Sequence, residues 1–414
     1  MKYQEMKKGA DSSCLWFDIK KAEKLKQELV YLDNAATTYQ KPEQVYKAMN
    51  MANQYLSVNA GRGSYELARL AVEGMDKLRE KMLELVNGKT YGQVVLMSSA
   101  TIAFNQIIGG LGFSEHDRVY VSPFEHNAVM RTLSFQQKKC GFTIEELPLD
   151  VDKLEIDLEK TEYLFRENPP THVFLSQVSN VTGYILPVSE IYKMTKEITN
   201  DEGIIVVDGA QSVGLIQWEY DKLPVDFLVF AGHKTLYGPF GIAGFIKNKQ
   251  AKLNTYLTGG TGSASLTLNM PEDITGFEPG SPNISAIAGL YAAIEFIQNK
   301  KVSSVFDWEK QRINELIQGL STVDGVQMYL PKNLDAHIGI LSFTAEGYRS
   351  EDLGTILDED YKIAVRTGYH CAPLIHAHMK DMEYGGTVRV SVSCFTTKEQ
   401  VERFVDAVRE CLEG

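Results

Sequence analysis

The chain has 414 residues, of which 44% are hydrophobic and 23% charged, and 42 Lys and Arg against 54 Asp and Glu leave a formal charge of −12. That length is enough for two domains with a large core, and the acidic balance without a long basic run argues against nucleic acid or an anionic membrane as partner. No apolar run approaches the ~20 residues of a membrane span, and the opening MKYQEMKKGADSSC lacks the apolar centre of a signal peptide. Cys14, Cys140, Cys371, Cys394 and Cys411 are odd in number and contain no C-x-x-C pair, as expected of a cytoplasmic protein with reduced thiols.

Asp18 to Leu29 has the apolar spacing of a surface helix, and Val30-Tyr31-Leu32 reads as a short strand. Asp33 to Thr38 is a small polar cluster suited to a tight turn or a ligand-facing loop. Pro42 opens a helix to about Leu56, because proline is tolerated in a first turn. Asn59 to Ser64 follows, where glycines on either side of Arg62 let backbone approach a ligand that the arginine reaches; a solvated loop arginine is the plainer reading. Glu66 to Val86 is amphipathic. Strand Val94–Met97 runs through Ser98-Ser99-Ala100-Thr101 into a helix over Ile102–Gly109, a candidate phosphate cradle, although the same residues cap ordinary helices.

From here strands and helices alternate. Strands are expected at Arg118–Ser122, Thr143–Leu147, Thr171–Gln177, Ile204–Val207 and Phe227–Phe230, with helices after Asn127 and over Ser189–Asn200. Runs such as Ile204–Val207 suit strands covered on both faces, and the alternation points to a mostly parallel α/β sheet. In such sheets functional groups gather at the carboxyl ends of strands. Thr101, His126, Asn180, Asp208, Gln211, His233 and Lys234 all fall there. After Phe245 the pattern loosens into loops at Thr258–Ser263 and Phe277–Ile284. A helix over Ser285–Gln298 leads to a second unit, with a helix at Val305–Leu320, strands near Ile338–Phe343, Ile363–Arg366 and Thr387–Ser393, and a closing helix at Lys398–Leu412.

The chemistry centres on Val225 to Gly244, a buried strand running into Gly232-His233-Lys234. Desolvation at the end of a buried strand would depress the lysine's pKa and free its amine for a Schiff base, against the plain alternative of a solvated lysine at a strand exit. Asp208 ends a neighbouring strand, where a buried carboxylate needs a cation or a protonated nitrogen, or else caps the next helix. A pyridoxal phosphate (PLP) ring would use both groups, the aspartate at its ring nitrogen and the lysine at its aldehyde.

The ordered motifs YLDNAATT, SPFEHNA, SNVTG, VDGAQ, FAGHKTLYGPFG, FEPGSPNI and RTGYHCAP, spread from Tyr31 to the C-terminal region, resemble the class V aminotransferase superfamily of fold-type-I PLP enzymes. Within it the chain is similar to the cysteine desulfurase and selenocysteine lyase branch, most of all to group-II desulfurases. The resemblance implies a large domain over 31–290 with a mostly parallel seven-stranded sheet, and a smaller α+β domain from 1–30 and 291–414 carrying a cysteine loop. It implies that Lys234 holds PLP, Asp208 pairs with the pyridine nitrogen, Gln211 bonds the phenolic oxygen and His126 stacks on the ring. Asn180 would contact substrate or the phenolic side, Thr101 and His233 the phosphate, and Arg389 the substrate carboxylate, with Arg62 and Arg366 in the same pocket. It further implies a homodimer in which Thr261 reaches the phosphate of the partner's cofactor. Cys371 would take sulfur from L-cysteine as a persulfide, leaving L-alanine, for delivery to a sulfur-acceptor protein.

Two departures stand out. Ala231 occupies a position where the similar desulfurases carry a hydroxyl residue that bonds the phosphate, a contact Thr261 would replace. The loop reads CAPLIHAH, matching only as far as CAP. L-Selenocysteine is an alternative substrate using the same residues; a C–S lyase or aminotransferase that does not use Cys371 is another reading, and a catalytically silent scaffold a third. His370, Cys371, His376 and His378 are zinc-ligand types, but their spacing fits no common structural site, so no metal is expected.

Overall fold

The computed structural model describes residues 15–60, 63–262 and 266–413, so the expectations on Arg62 and Cys14 fall outside the described residues. In chain order the strands are β1 (Val30–Tyr31), β2 (Gly92–Met97), β3 (Arg118–Val121), β4 (Thr143–Glu146), the short pair β5 (Leu149–Asp150) and β6 (Glu155–Ile156), β7 (His172–Ser176), β8 (Ile204–Asp208), β9 (Phe227–Ala231) and β10 (Ala243–Asn248). They continue as β11 (Val326–Tyr329), β12 (Ile340–Ala345), β13 (Ile363–Ala364), β14 (Arg366–Gly368) and β15 (Thr387–Ser391).

The main sheet has seven strands in the order β2-β10-β9-β8-β7-β3-β4, the mostly parallel α/β architecture expected; only β10 runs against its neighbours. Its central strands β7, β8 and β9 are almost continuous apolar runs because both faces are covered. Val173, Leu175, Ile205 and Val207 join one core cluster and Phe174 and Val206 the opposite one, as the two-residue period of a strand requires. The strand order reverses between β3 and β7, and the crevice outside the carboxyl ends of strands at such a switch is where α/β sheets bind ligands. The segments carrying His126 and Asn180 leave the sheet at that point.

A second, antiparallel sheet, β11-β12-β15-β14, encloses its own core of Leu316, Phe343, Val388, Val390 and Phe404. Val30 and Leu32 belong to that core although they lie far from the C-terminal sheet in sequence. β1 pairs with β13, and Ser391 N donates to Leu32 O at 2.7 Å. The loop after β1 is thereby stitched to the C-terminal sheet, which carries Asp33 to the boundary between the two cores.

Most of the expected elements form within a few residues of their expected ends. The helix after Ser98-Ser99 begins earlier, at Ala100, because Ser99 caps it by accepting from Ile102 N at 3.3 Å. No strand is expected over Ala243–Asn248, yet β10 is fully buried strand there, and the chain becomes irregular after it. Gly244 obscures it, yet it is needed there, since a Cβ would lie 2.0 Å from Val95 O on the neighbouring strand. The single strand expected at Ile363–Arg366 is two, because β13 pairs with β1 whereas β14 pairs with β15, and the chain changes sheets at Val365. Helices Leu158–Glu167 and Ser350–Glu359 and strand β11 carry no expectation above.

Candidate active site

A cavity of ≈ 250 Å³ opens at the carboxyl ends of the main-sheet strands, between the two cores. Its lining brings together Thr101, His126, Asn180, Asp208, Gln211, His233, Lys234, Arg366, Cys371 and Arg389, residues spread over most of the chain. Ala231 lines it as well. Thr261 lines a different cavity, of ≈ 560 Å³, together with Asn59, Arg79 and Glu278.

The lysine is placed by two strands. β8 and β9 are parallel neighbours, with Asp208 in register with Val229. The chain leaving β9 folds back at once: Gly232 N donates to Ile242 O at 3.1 Å and Gly238 N to Gly232 O at 2.7 Å. Gly232 is demanded by this approach, because a Cβ would lie 2.5 Å from Ile242 O. From the other side, the Thr37 and Thr38 hydroxyls donate to His233 O at 3.0 and 3.2 Å. Those two threonines hold the lysine turn, while Ala35 and Ala36 of the same motif line the cavity.

Lys234 and Asp208 each face the cavity and are otherwise enclosed by protein. Desolvation pushes the Lys234 ammonium below its usual pKa, opposed in part by Asp208. The Asp208 carboxyl is raised by the same desolvation and held back by Lys234 and by the Ala210 N–H, which donates to its Oδ1 at 2.8 Å. Burial, reinforced by Lys234, pushes His126 down to about 3 and His233 to about 4, so both imidazoles are neutral at neutral pH. His126 Nδ1 accepts from Ala128 N at 3.0 Å, capping the helix Asn127–Cys140, which puts the ring proton on Nε2. Gln211 Nε2 donates to Ala35 O at 2.8 Å.

On the opposite wall, Arg389 of β15 faces Arg366 of β14 in register. Like charges directly opposite are unfavourable unless something lies between them. Asp33 does so: Arg389 Nη2 is 2.9 Å from its Oδ1, and Arg366 Nη1 is 3.9 Å from its Oδ2. Arg389 also donates to Asn180 O at 2.9 Å, is 2% exposed, and keeps a buried Nε without a partner among the described residues. Two guanidiniums share one carboxylate, so the wall carries an excess positive charge suited to a second carboxylate, with planar donors of the right shape.

Cys371 sits on a strained turn. His370 and Cys371 both adopt left-handed backbone, with φ of 45° and 58°. A non-glycine residue held there costs of order 1–3 kcal/mol and persists only where its surroundings impose it. Here the imposing groups are identifiable. Ala372 N closes the turn onto Tyr369 O at 3.0 Å, Asn127 N donates to Cys371 O at 2.7 Å, and Asn180 Nδ2 donates to His370 O at 2.7 Å. The thiol-bearing turn is thus gripped by the segments that leave β3 and β7.

Beneath the floor lies Glu125, fully buried, whose Oε1 accepts from the Ser122 hydroxyl and from Ser176 N at 2.5 Å each. Desolvation, with the neighbouring Asp208 adding to it, lifts its carboxyl to about 8. Sequence reasoning named neither Glu125 nor Asp33 as a site residue. Both stand inside the motifs SPFEHNA and YLDNAATT, where Glu125 follows Phe124 and Asp33 follows Leu32, and an acid next to an apolar residue was the available signal.

The donor set fits pyridoxal phosphate. A desolvated primary amine stands in one cavity with a carboxylate and a neutral imidazole, and His233, on the lining, has a buried Nδ1 with no partner among the described residues, as a phosphate-binding nitrogen requires.

An α/β sheet with a lysine–aspartate pair at its carboxyl edge defines the fold-type-I class of PLP enzymes. More narrowly, the family model for aminotransferase class-V matches residues 30–404, and the chain belongs to that family of PLP-dependent enzymes. A probable cysteine desulfurase from Pyrococcus abyssi is 31% identical over 404 residues, covering 96% of this chain and 98% of the relative. A cysteine desulfurase from Escherichia coli O157:H7 is 30% identical over 391 residues, covering 92% and 93%. The solved apo structure of a cysteine desulfurase from Thermococcus onnurineus matches with a TM-score of 0.86 at 30% identity, over 94% of this chain and 96% of that one.

Proposed function

We propose that this protein is a PLP-dependent cysteine desulfurase that converts L-cysteine to L-alanine and holds the released sulfur as a persulfide on Cys371. The observation that carries the reading is the shared cavity: Cys371, in the C-terminal part of the chain, lines the same space as Lys234, Asp208 and Arg389. The relatives described above agree with it.

In this reading Lys234 carries the cofactor and moves the proton at the substrate Cα, a task for which its depressed pKa prepares it. Asp208 faces the pyridine nitrogen, the neutral His126 stacks on the ring, and Gln211 and Asn180 serve its phenolic side. His233 and Thr101, the latter in the first turn of the helix Ala100–Gly110, bind the phosphate. Bound PLP supplies the electron sink conjugated to the substrate Cα. Arg389 holds the substrate carboxylate, with Arg366 beside it. Cys371 Sγ then attacks the substrate sulfur. An S–S bond forms on the enzyme, the substrate Cβ–Sγ bond breaks, its electron pair stays with the carbon side, and protonation there completes L-alanine.

The active unit we propose is a homodimer, with Thr261 assigned to the partner's phosphate site; its place away from its own chain's cavity supports that assignment. The reading needs a sulfur-acceptor partner and a reducing compartment such as the cytoplasm. Among the described residues Cys140, Cys371, Cys394 and Cys411 are free thiols, and no helix is long and apolar enough to cross a membrane. The test is Cys371→Ala: alanine and sulfide formation from L-cysteine should be lost while the visible absorbance of lysine-bound PLP stays. Full retained activity would overturn the desulfurase reading in favour of a lyase that does not use the thiol.

A further inference from the structure

His376 and Asp381 follow the thiol in sequence, and the reaction proposed above gives them no task. Both are buried, at 2% and 0% exposure. His376 Nδ1 is 2.5 Å from Asp381 Oδ2. The His376 ring meets Tyr369 edge to face, with centroids 5.2 Å apart and planes at 85°, and lies 5.8 Å from the His370 ring. Tyr369 and His370 are the two residues that lead into Cys371, so the imidazole of His376 forms the underside of the thiol turn. His370 is pinned from a second direction, its Nε2 standing 2.8 Å from the Thr387 hydroxyl at the start of β15.

The pair is itself anchored. Asp381 O accepts from Tyr384 N and Gly386 N, each at 3.1 Å. Gly386, with φ of 91°, passes so close to β14 that a Cβ would lie 2.4 Å from Gly368 O. The short helix Ile375–Met379 that carries His376 is tied to the main sheet by His378, whose Nε2 is 2.6 Å from Glu146 Oε1 at the end of β4. One end of the support is therefore fixed to the second sheet and the other to the main sheet.

A buried histidine–carboxylate pair is a poor choice for stability alone, since well-packed apolar residues commonly do as well or better. Three polar atoms of the cluster, His370 Nδ1, His376 Nε2 and Asp381 Oδ1, are buried without a partner among the described residues, a cost that plain packing does not explain. What the cluster does provide is direction, because a hydrogen-bonded ring has one orientation where an apolar side chain has several. The left-handed backbone at His370 and Cys371 needs such a constraint.

We propose that His376 and Asp381 are positioning residues for sulfur transfer: the pair braces Tyr369 and His370 from below and so holds the Cys371 thiol in the cavity. This rests on Cys371 being the sulfur acceptor. Neither residue of the pair lines the cavity, so its loss should spare binding and slow the transfer.

The experiment uses PLP-loaded full-length enzyme carrying His376→Leu, His376→Asn or Asp381→Asn. His376→Leu and Asp381→Asn should lower kcat for alanine formation by about tenfold to a hundredfold, the usual cost of a reacting group displaced by about an ångström. KM for L-cysteine and the visible absorbance of bound PLP should stay close to the parent's. His376→Asn, which keeps a donor toward Asp381, should recover part of the lost rate. The rate at which iodoacetamide alkylates Cys371, followed by peptide mapping, should change in the same order as kcat. Unchanged kcat and alkylation in both His376→Leu and Asp381→Asn would overturn the proposal, as would a parallel loss of kcat, KM and cofactor with no recovery in His376→Asn. Should His376→Leu not fold, Asp381→Asn and Thr387→Val carry the same readouts. Alkylation reports on the brace whatever reaction is catalysed, so a failed brace is distinguishable from a failed desulfurase reading, which Cys371→Ala decides.

Discussion

The two walls of the cavity are built in opposite ways. The lysine wall is the end of a regular sheet: Asp208 and Lys234 emerge from parallel neighbours β8 and β9, and glycine serves where backbones crowd. The thiol wall is irregular, with Cys371 on a left-handed turn between two short elements, held by contacts from four separate segments of chain. A group whose task is to hold a cofactor gains from the rigidity of paired strands. On the proposed function, the Cys371 thiol meets the substrate sulfur and afterwards passes it on, and it gains from a site set by a few hydrogen bonds. Damage to the lysine wall should accordingly remove all chemistry, and damage to the thiol wall only the transfer.

The largest effect is expected at Lys234. Lys234→Ala should abolish the visible absorbance of lysine-bound PLP and lower alanine formation by at least ~10³-fold, measured by spectrum and by amino-acid analysis. Detectable turnover near the parent's would break the contrast at its stronger end. Asp208→Asn keeps the shape but not the charge, and should cost about a hundredfold or more in kcat, as when one preorganised electrostatic contact is removed. Its spectrum should also differ from the parent's.

Arg389→Lys should fall between these extremes. A single ammonium does not reproduce the planar fork shared by Asp33, Asn180 O and an incoming carboxylate, so KM for L-cysteine should rise about tenfold, with kcat less affected. A kcat effect alone would assign Arg389 to the thiol wall instead.

The smallest effect concerns stability. Glu309 is buried against Tyr237, whose hydroxyl donates to its Oε1 at 2.7 Å, and desolvation raises its carboxyl to about 8. The folded state therefore keeps a proton that the unfolded chain loses near the ordinary value of 4.5. Between those values the folded form binds more protons, so stability falls as pH rises through that window. Glu309→Gln removes the proton and should flatten this loss. The variant's Tm should gain on the parent's by on the order of 1–2 °C at pH ~8 relative to pH ~5. An equal pH slope in both proteins would contradict a neutral Glu309 in the fold.

The same contrast explains what was legible in the sequence. Strands buried on both faces are written as apolar runs, so the sheet and the residues at its carboxyl ends, from Thr101 to Lys234, were readable from pattern. β10 was not, because Gly244, required by a close backbone, interrupts the run. The thiol wall leaves little periodic trace. Cys371 was found through the RTGYHCAP motif, but nothing local announces that Asn127 and Asn180 grip its turn, or that His376 meets Asp381. Those contacts depend on how two sheets approach. Asp33 was quoted as part of a turn, and its place between Arg366 and Arg389 appears only when the loop after β1 is stitched to β15.

The most direct measurement is mass spectrometry of the PLP-loaded enzyme after reaction with L-cysteine and without a reductant, followed by mapping of its peptides. One added sulfur on the Cys371 peptide, formed in step with L-alanine, is the expected result. L-Alanine formed with Cys371 unmodified, or the added sulfur on Cys140, Cys394 or Cys411, would contradict it.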